Sequence, residues 1–235
     1  MKYIRFFMVT FAAAIISSGC NSQSTQQFDH VMKLDLTKYS DKKPEKKLNL
    51  LFIHHSCGAA LMAEPGEKKG EYCLYSSHPN GGGLRSLLEQ NNYAVHEATY
   101  GSKIGQDTDI CHWNAKFRDH MNIILQTDLQ DTLYSDDSVN HIVLFKSCYP
   151  ASGIVADGKD PGDPDSCEKT LANYKAAYNH LLGYFKNRPE TLFVVLTAPP
   201  LAEPVLFTRG KIMNTIKTVL GRPDTVEKIG KRARL

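Results

Sequence analysis

The sequence predicts an α/β protein, a parallel sheet held between helices in three layers. Two observations carry that expectation. The stretch Leu48–Gly58 starts as a continuous apolar run, and His141–Phe145 and Thr191–Thr197 are similar runs. Such runs suit strands buried on both faces of a parallel sheet. Segments with helical spacing alternate with these strands, which calls for right-handed βαβ units. A third observation marks the working end. Within one residue the first run turns into His54-His-Ser-Cys-Gly58, and open α/β sheets place their sites outside the carboxyl ends of their strands.

The chain has 235 residues, 42% hydrophobic and 23% charged, enough for one domain with a full core. Its net charge of +3 is too small to suggest nucleic acid as a partner. From Val205 to Leu235 eight Lys/Arg stand against Asp224 and Glu227, so the basic excess belongs to the tail.

Residues 1–20 read as a targeting segment. Lys2 and Arg5 precede an apolar stretch, Phe6 to Ile16, too short to span a bilayer comfortably. It ends in Ser17-Ser18-Gly19-Cys20, which resembles the lipobox of bacterial lipoproteins. That resemblance implies lipidation of Cys20 and anchoring at the bacterial cell envelope; an ordinary cleaved signal peptide, with a secreted product, is the other reading. Residues 21–47 are polar and read as a tether. Residues 48–204 form the α/β domain and residues 205–235 a basic tail.

Within the domain, Ala59 to Met62 can open a helix that Glu64-Pro-Gly-Glu-Lys-Lys-Gly70 breaks, and a loop follows to Gly81-Gly-Gly83. Leu84 to Asn91 is a short amphipathic helix, with Leu84, Leu87 and Leu88 at helical spacing, and Tyr93 to Tyr100 a second strand. After the turn-rich Gly101–Asp109, Trp113 to Leu129 is a helix with Phe117, Met121, Ile124 and Leu125 inward. The third strand, His141–Phe145, leads into Lys146-Ser-Cys-Tyr-Pro-Ala-Ser152. The loop 156–165 carries four aspartates off the calcium-ladder spacing and reads as solvated. Ser166 suits an N-cap for a helix over 169–185 with Leu171, Tyr174, Tyr178, Leu181 and Leu182 inward. Thr191–Thr197 is the fourth strand, closed by Ala198-Pro-Pro-Leu201; Ile212 to Leu220 can form a short helix, and no fifth strand is visible.

Setting Cys20 aside leaves Cys57, Cys73, Cys111, Cys148 and Cys167, an odd number, so at least one thiol is free. Cys148 with Cys167 would close a loop between a strand end and a helix start and is the favoured pair. No CxxC spacing occurs, and no metal or other cofactor is expected.

A serine at the tip of a buried strand is a nucleophile when a base and oxyanion donors converge on it. His54-His-Ser-Cys-Gly58, Tyr100-Gly-Ser-Lys-Ile-Gly-Gln-Asp-Thr-Asp109, Phe145-Lys-Ser-Cys-Tyr-Pro150 and Leu196-Thr-Ala-Pro-Pro-Leu201 follow the block order of the SGNH/GDSL hydrolase-like superfamily. They resemble its bacterial branch with a His-His-Ser first block. The resemblance covers about residues 48–201 and implies a flavodoxin-like α/β/α sandwich and an esterase acting on a small-molecule or glycan ester. It implies Ser56 as nucleophile and Gly105 as an oxyanion N–H donor. The third-block asparagine is replaced by Ala151, so Ser152 or Ser147 would have to donate instead. The family's base, a histidine shortly after an aspartate, has no counterpart: no histidine follows His180. His54 and His55 adjoin Ser56 but belong to alternating faces. His78 and His112 read as ordinary surface or hydrogen-bonding residues, and Trp113 as a core residue rather than a sugar-stacking platform. Three readings stay open: a lipid-anchored ester hydrolase, a non-catalytic envelope lipoprotein of the same fold, and a truncated remnant.

Overall fold

A computed structural model describes residues 37, 40, 42–197 and 208–220. The targeting segment with Cys20, most of the tether, the Ala198–Leu201 turn and most of the basic tail lie outside the described residues. All elements below belong to the unit Lys42–Leu235.

The chain runs through β1 (Leu48–Ile53), α1 (Cys57–Met62), β2 (Glu64–Pro65), β3 (Lys69–Glu71), β4 (Leu74–His78), α2 (Leu84–Gln90) and β5 (Tyr93–Ala98). It continues through α3 (Ile110–Gln126), β6 (Thr127–Leu129), β7 (Thr132–Leu133), β8 (Ile142–Lys146), α4 (Leu171–Phe185), β9 (Leu192–Leu196) and α5 (Thr208–Val219). The main sheet has the order β7-β6-β5-β1-β8-β9. Every neighbouring pair in it is parallel except β6 with β7. The expected α/β architecture with a mostly parallel central sheet is therefore present. No helix among the described residues is long and apolar enough to cross a membrane.

The period of two along β1 divides the core between the two faces. Leu51 and Ile53 pack with Val143 and Phe145 of β8 against Trp113, Phe117 and Ile124 of α3 and Leu181 of α4. Leu50 and Phe52 pack on the opposite face with Ile142 and Leu144, under Met62 of α1 and Leu84 and Leu88 of α2. Burial on both faces explains why Leu50–Ile53 of β1 and Ile142–Phe145 of β8 read as unbroken apolar runs. The larger core centres on Phe117, whose ring meets Phe145 at 4.9 Å and Phe185 at 4.9 Å, while Phe185 stacks on Phe193 at 4.1 Å. Truncating such a buried phenylalanine to alanine costs about 3–5 kcal/mol.

Several expectations need correction. The segment 64–78 is not a plain loop: β2, β4 and β3 form a separate three-stranded sheet. α3 starts at Ile110 after Asp109, and it stops at Gln126 because Thr127–Leu129 pairs with β5 and β7. The N-cap of α4 is Thr170, whose side chain accepts from the Asn173 N–H at 3.2 Å; Ser166 instead accepts from the Glu168 N–H at 3.2 Å within the preceding loop. Leu87 and Leu182 point outward, 56% and 53% exposed, because they fall on the flank of their helices rather than on the buried stripe. The expected Cys148–Cys167 disulfide does not form. Cys167 bonds Cys111 at the start of α3, with the two Cα atoms 5.0 Å apart, and Cys57, Cys73 and Cys148 are free thiols. The loop before α4 is thus stapled to the helix beside it rather than to the tip of β8. No strand beyond β9 occurs among the described residues.

Candidate functional site

β5 lies on one side of β1 and β8 on the other, so the direction of winding reverses between β1 and β8. The crevice at that switch point is where open α/β sheets bind ligands. The tip of β1 supplies His54, His55 and Ser56 to it, and the tip of β8 supplies Lys146, Ser147 and Cys148.

Ser56 follows His54 and His55 beyond the end of β1 and is the N-cap of α1, with φ 43° and ψ −99°. A non-glycine residue there carries strain of about 1–3 kcal/mol. The same sharp strand-to-helix turn exposes the nucleophile of many α/β hydrolases. Ser56 is exposed, and its hydroxyl makes no capping bond to α1. Its backbone N–H is directed at the Cys73 sulfur, which the Thr99 and Tyr72 side chains also approach. Cys73 is almost fully buried at φ 68°, and burial pushes its thiol up, keeping it protonated.

The two histidines are fixed on opposite faces, as alternation requires. His54 is fully buried, with Nε2 2.8 Å from Glu97 Oε1 of β5, and Arg85 of α2 pairs with the other Glu97 oxygen. The carboxylate held by Arg85 is an acceptor, so Nε2 carries the ring proton. Burial first, then the charges of Lys146 and Arg85, lowers the His54 pKa to about 3. His55 donates from Nε2 to the Gly105 carbonyl at 2.5 Å, and its Nδ1 accepts from the Thr108 hydroxyl at 3.0 Å. Its ring stacks on Tyr100 at 3.6 Å. Burial lowers its pKa as well, outweighing the bond to Gly105. His78 accepts from the Asn80 N–H and stacks on Tyr75. No hydrogen bond joins the Ser56 hydroxyl to a histidine among the described residues.

Gly105 does not offer the expected free N–H. That group donates to Ser102 Oγ at 2.7 Å, and a Cβ built on Gly105 would sit 2.1 Å from the Thr99 carbonyl. Glycine is required here for space, and its carbonyl serves His55. Lys116 holds the same loop from below: its buried ammonium donates to the Ile104 carbonyl at 2.5 Å and to that of Gln106. Burial lowers its pKa to about 8.

Ser152 is fully buried in the short turn Tyr149–Ser152 beside Ala151, whose carbonyl accepts from Tyr174 at 2.6 Å. Ser147 is also buried, and its Oγ accepts from Trp113 Nε1 at 2.8 Å. Trp113 is a core residue, wholly buried against Phe145. In the aspartate loop, Asp163 accepts from the Asp165 N–H, and Asp165 accepts from Asn114; those carboxylates bind the loop to itself and to α3.

The geometry thus joins Ser56, Cys73, Thr99, Tyr100 and Cys148 around one strand tip, where burial first, then the neighbouring Cys148, pushes the Tyr100 hydroxyl up to about 12. Sequence reading missed Cys73 and Tyr100. Cys73 sits in the small sheet, whose short polar strands carry no periodic signal, whereas Tyr100 at the end of a strand could have been flagged. Comparison with models of protein families, with curated proteins and with solved structures returns no match.

Proposed function

We propose that this chain is a serine-dependent ester hydrolase of the SGNH type, with Ser56 as its nucleophile. The observation that carries the reading is the strained backbone of Ser56, which presents an exposed hydroxyl at the switch point of a parallel sheet. Strain at a non-glycine residue persists where the surrounding structure enforces it, and such residues cluster at functional sites. Further support comes from the four longer strands of the sheet. Taken in chain order they lie second-first-third-fourth, the start of the flavodoxin-like order.

In this reading Ser56 Oγ attacks the carbonyl carbon of a small-molecule or glycan ester, the bond from that carbon to the alcohol oxygen breaks as the Ser56 proton passes to the departing oxygen, and Ser56 carries the acyl group until water hydrolyses it to the free acid. The Ser56 N–H stabilises the oxyanion once the Cys73 sulfur yields its place. Cys20 lipidation holds the enzyme at the bacterial cell envelope, and neither nucleic acid nor a cofactor takes part.

A second reading, a non-catalytic envelope protein of the same fold, is favoured by one observation. Both histidines next to Ser56 are committed to other partners. Labelling with a fluorophosphonate separates the two readings. The hydrolase reading expects one adduct per chain, lost in Ser56→Ala; a folded wild-type protein that stays unlabelled supports the binding protein.

A further inference from the structure

We propose a second site where the start of α3 meets the loop before α4: once their disulfide is reduced, Cys111, His112 and Cys167 bind a soft divalent metal ion of the zinc class. Their ligand atoms lie within 4.8 Å of one another. Cleaving the S–S bond frees both sulfurs to take Zn–S distances of about 2.3 Å, beside a Zn–N distance of about 2.0 Å. A second observation points to a ligand. Nδ1 of His112 is buried and has no hydrogen-bond partner among the described residues, although nearly all buried polar atoms find one. The imidazole therefore has coordinating capacity that the protein itself does not use.

The surroundings suit such an ion. Cys111 is the second residue of α3, where the helix N-terminus favours the thiolate over the thiol. Cys167 is exposed, so a reductant reaches the bond. A groove of about 220 Å³ runs beside the cluster, lined by Cys111, His112, Lys116, Asp119 and His120 among others. It leaves a fourth coordination position open to water, giving the Cys₂His-plus-water arrangement of open zinc sites. The 56-residue separation between Cys111 and Cys167 hides the site from any reading of local spacing.

A phosphine reductant gives two electrons to the S–S bond and becomes a phosphine oxide with the oxygen of one water molecule. The two protons of that water go to the thiols. Metal binding then displaces both thiol protons, and His112 coordinates in its neutral form. Metal occupancy thereby reports the redox state of this one disulfide.

The test is cobalt(II) titration of the whole protein before and after phosphine reduction, read by the thiolate-to-metal charge-transfer and tetrahedral d–d absorption. The expected result is one equivalent bound to the reduced protein and none to the oxidised protein. Reduced His112→Ala should bind at least tenfold more weakly, and Cys167→Ser, a change in an exposed loop, should abolish the absorption. Zinc should also raise the melting temperature of the reduced wild type but not of reduced His112→Ala. No cobalt absorption from the reduced protein overturns the proposal. Unchanged affinity in reduced His112→Ala does so too, since His112 would then not be a ligand of the ion. So does loss of the native far-UV spectrum on reduction, because the site needs α3 and the loop before α4 held together.

Discussion

Acid should destabilise this fold well before its carboxylates are all protonated, and His54 is the cause. In the native state its pKa lies near 3 because burial excludes the charged form, whereas an unfolded histidine titrates near 6.5. The unfolded chain therefore binds a proton that the folded chain refuses. The stability contributed by the neutral ring is present above about pH 6.5 and is lost as pH falls towards 3. By linkage, the loss from this one residue reaches about 3 kcal/mol at pH 4. His54→Gln removes the titration while leaving an amide donor within reach of Glu97. Urea unfolding followed through the buried Trp113, the chain's single tryptophan, measures the difference directly. The variant starts lower at pH 7, but the gap between it and the wild type should close or reverse by about 3 kcal/mol between pH 7 and pH 4. A gap that moves by less than about 1 kcal/mol would show instead that His54 is protonated in the folded protein.

Other consequences follow from the same site. Ser56→Gly should relieve the left-handed backbone and stabilise the protein by about 1 kcal/mol relative to Ser56→Ala, a rise of about 2–4 °C in Tm by calorimetry. Gly105→Ala should cost roughly 3 kcal/mol in chemical denaturation, since the added methyl meets the Thr99 backbone. Iodoacetamide should modify Cys57 in the native protein and leave Cys73 untouched until urea unfolds the chain, as peptide mapping would reveal; Cys57 is exposed, while Cys73 is buried and held as a thiol.

The long strands were legible because burial on both faces gives them a signature that needs no neighbour to interpret. β1 is apolar from Leu50 to Ile53 and β8 from Ile142 to Phe145, and the abrupt change at His54 marks the end of the sheet correctly. Strands of two or three residues, such as β2, β6 and β7, leave no periodicity, and their existence depends on pairings to distant segments. The roles of the two histidines were hidden for the same reason. Glu97 and Arg85, which hold His54, come from β5 and α2, and Gly105 and Thr108, which hold His55, come from the loop before α3. Alternation along β1 does predict that neighbouring histidines serve different faces, and they do. The partner of Cys167 could not be read from spacing, because Cys111 and Cys148 both lie near helix or strand ends, and only the packing of α3 beside the loop before α4 decides between them. Gly105 shows the opposite error. A glycine in the right block suggested a bare N–H for an oxyanion, but the group is spent on Ser102, and the residue is small because Thr99 leaves no room.

In the proposed hydrolase the Ser56 hydroxyl takes an acyl group from its ester. The direct measurement is rapid mixing with an activated aryl ester, followed by acid quench and mass mapping of the peptide that contains Ser56. A stoichiometric burst of aryl alcohol, an acyl adduct on Ser56 and slow turnover afterwards are expected, with burst and adduct both absent in Ser56→Ala. Folded wild-type protein that shows neither burst nor adduct, or an adduct carried by Cys57 instead, would contradict it.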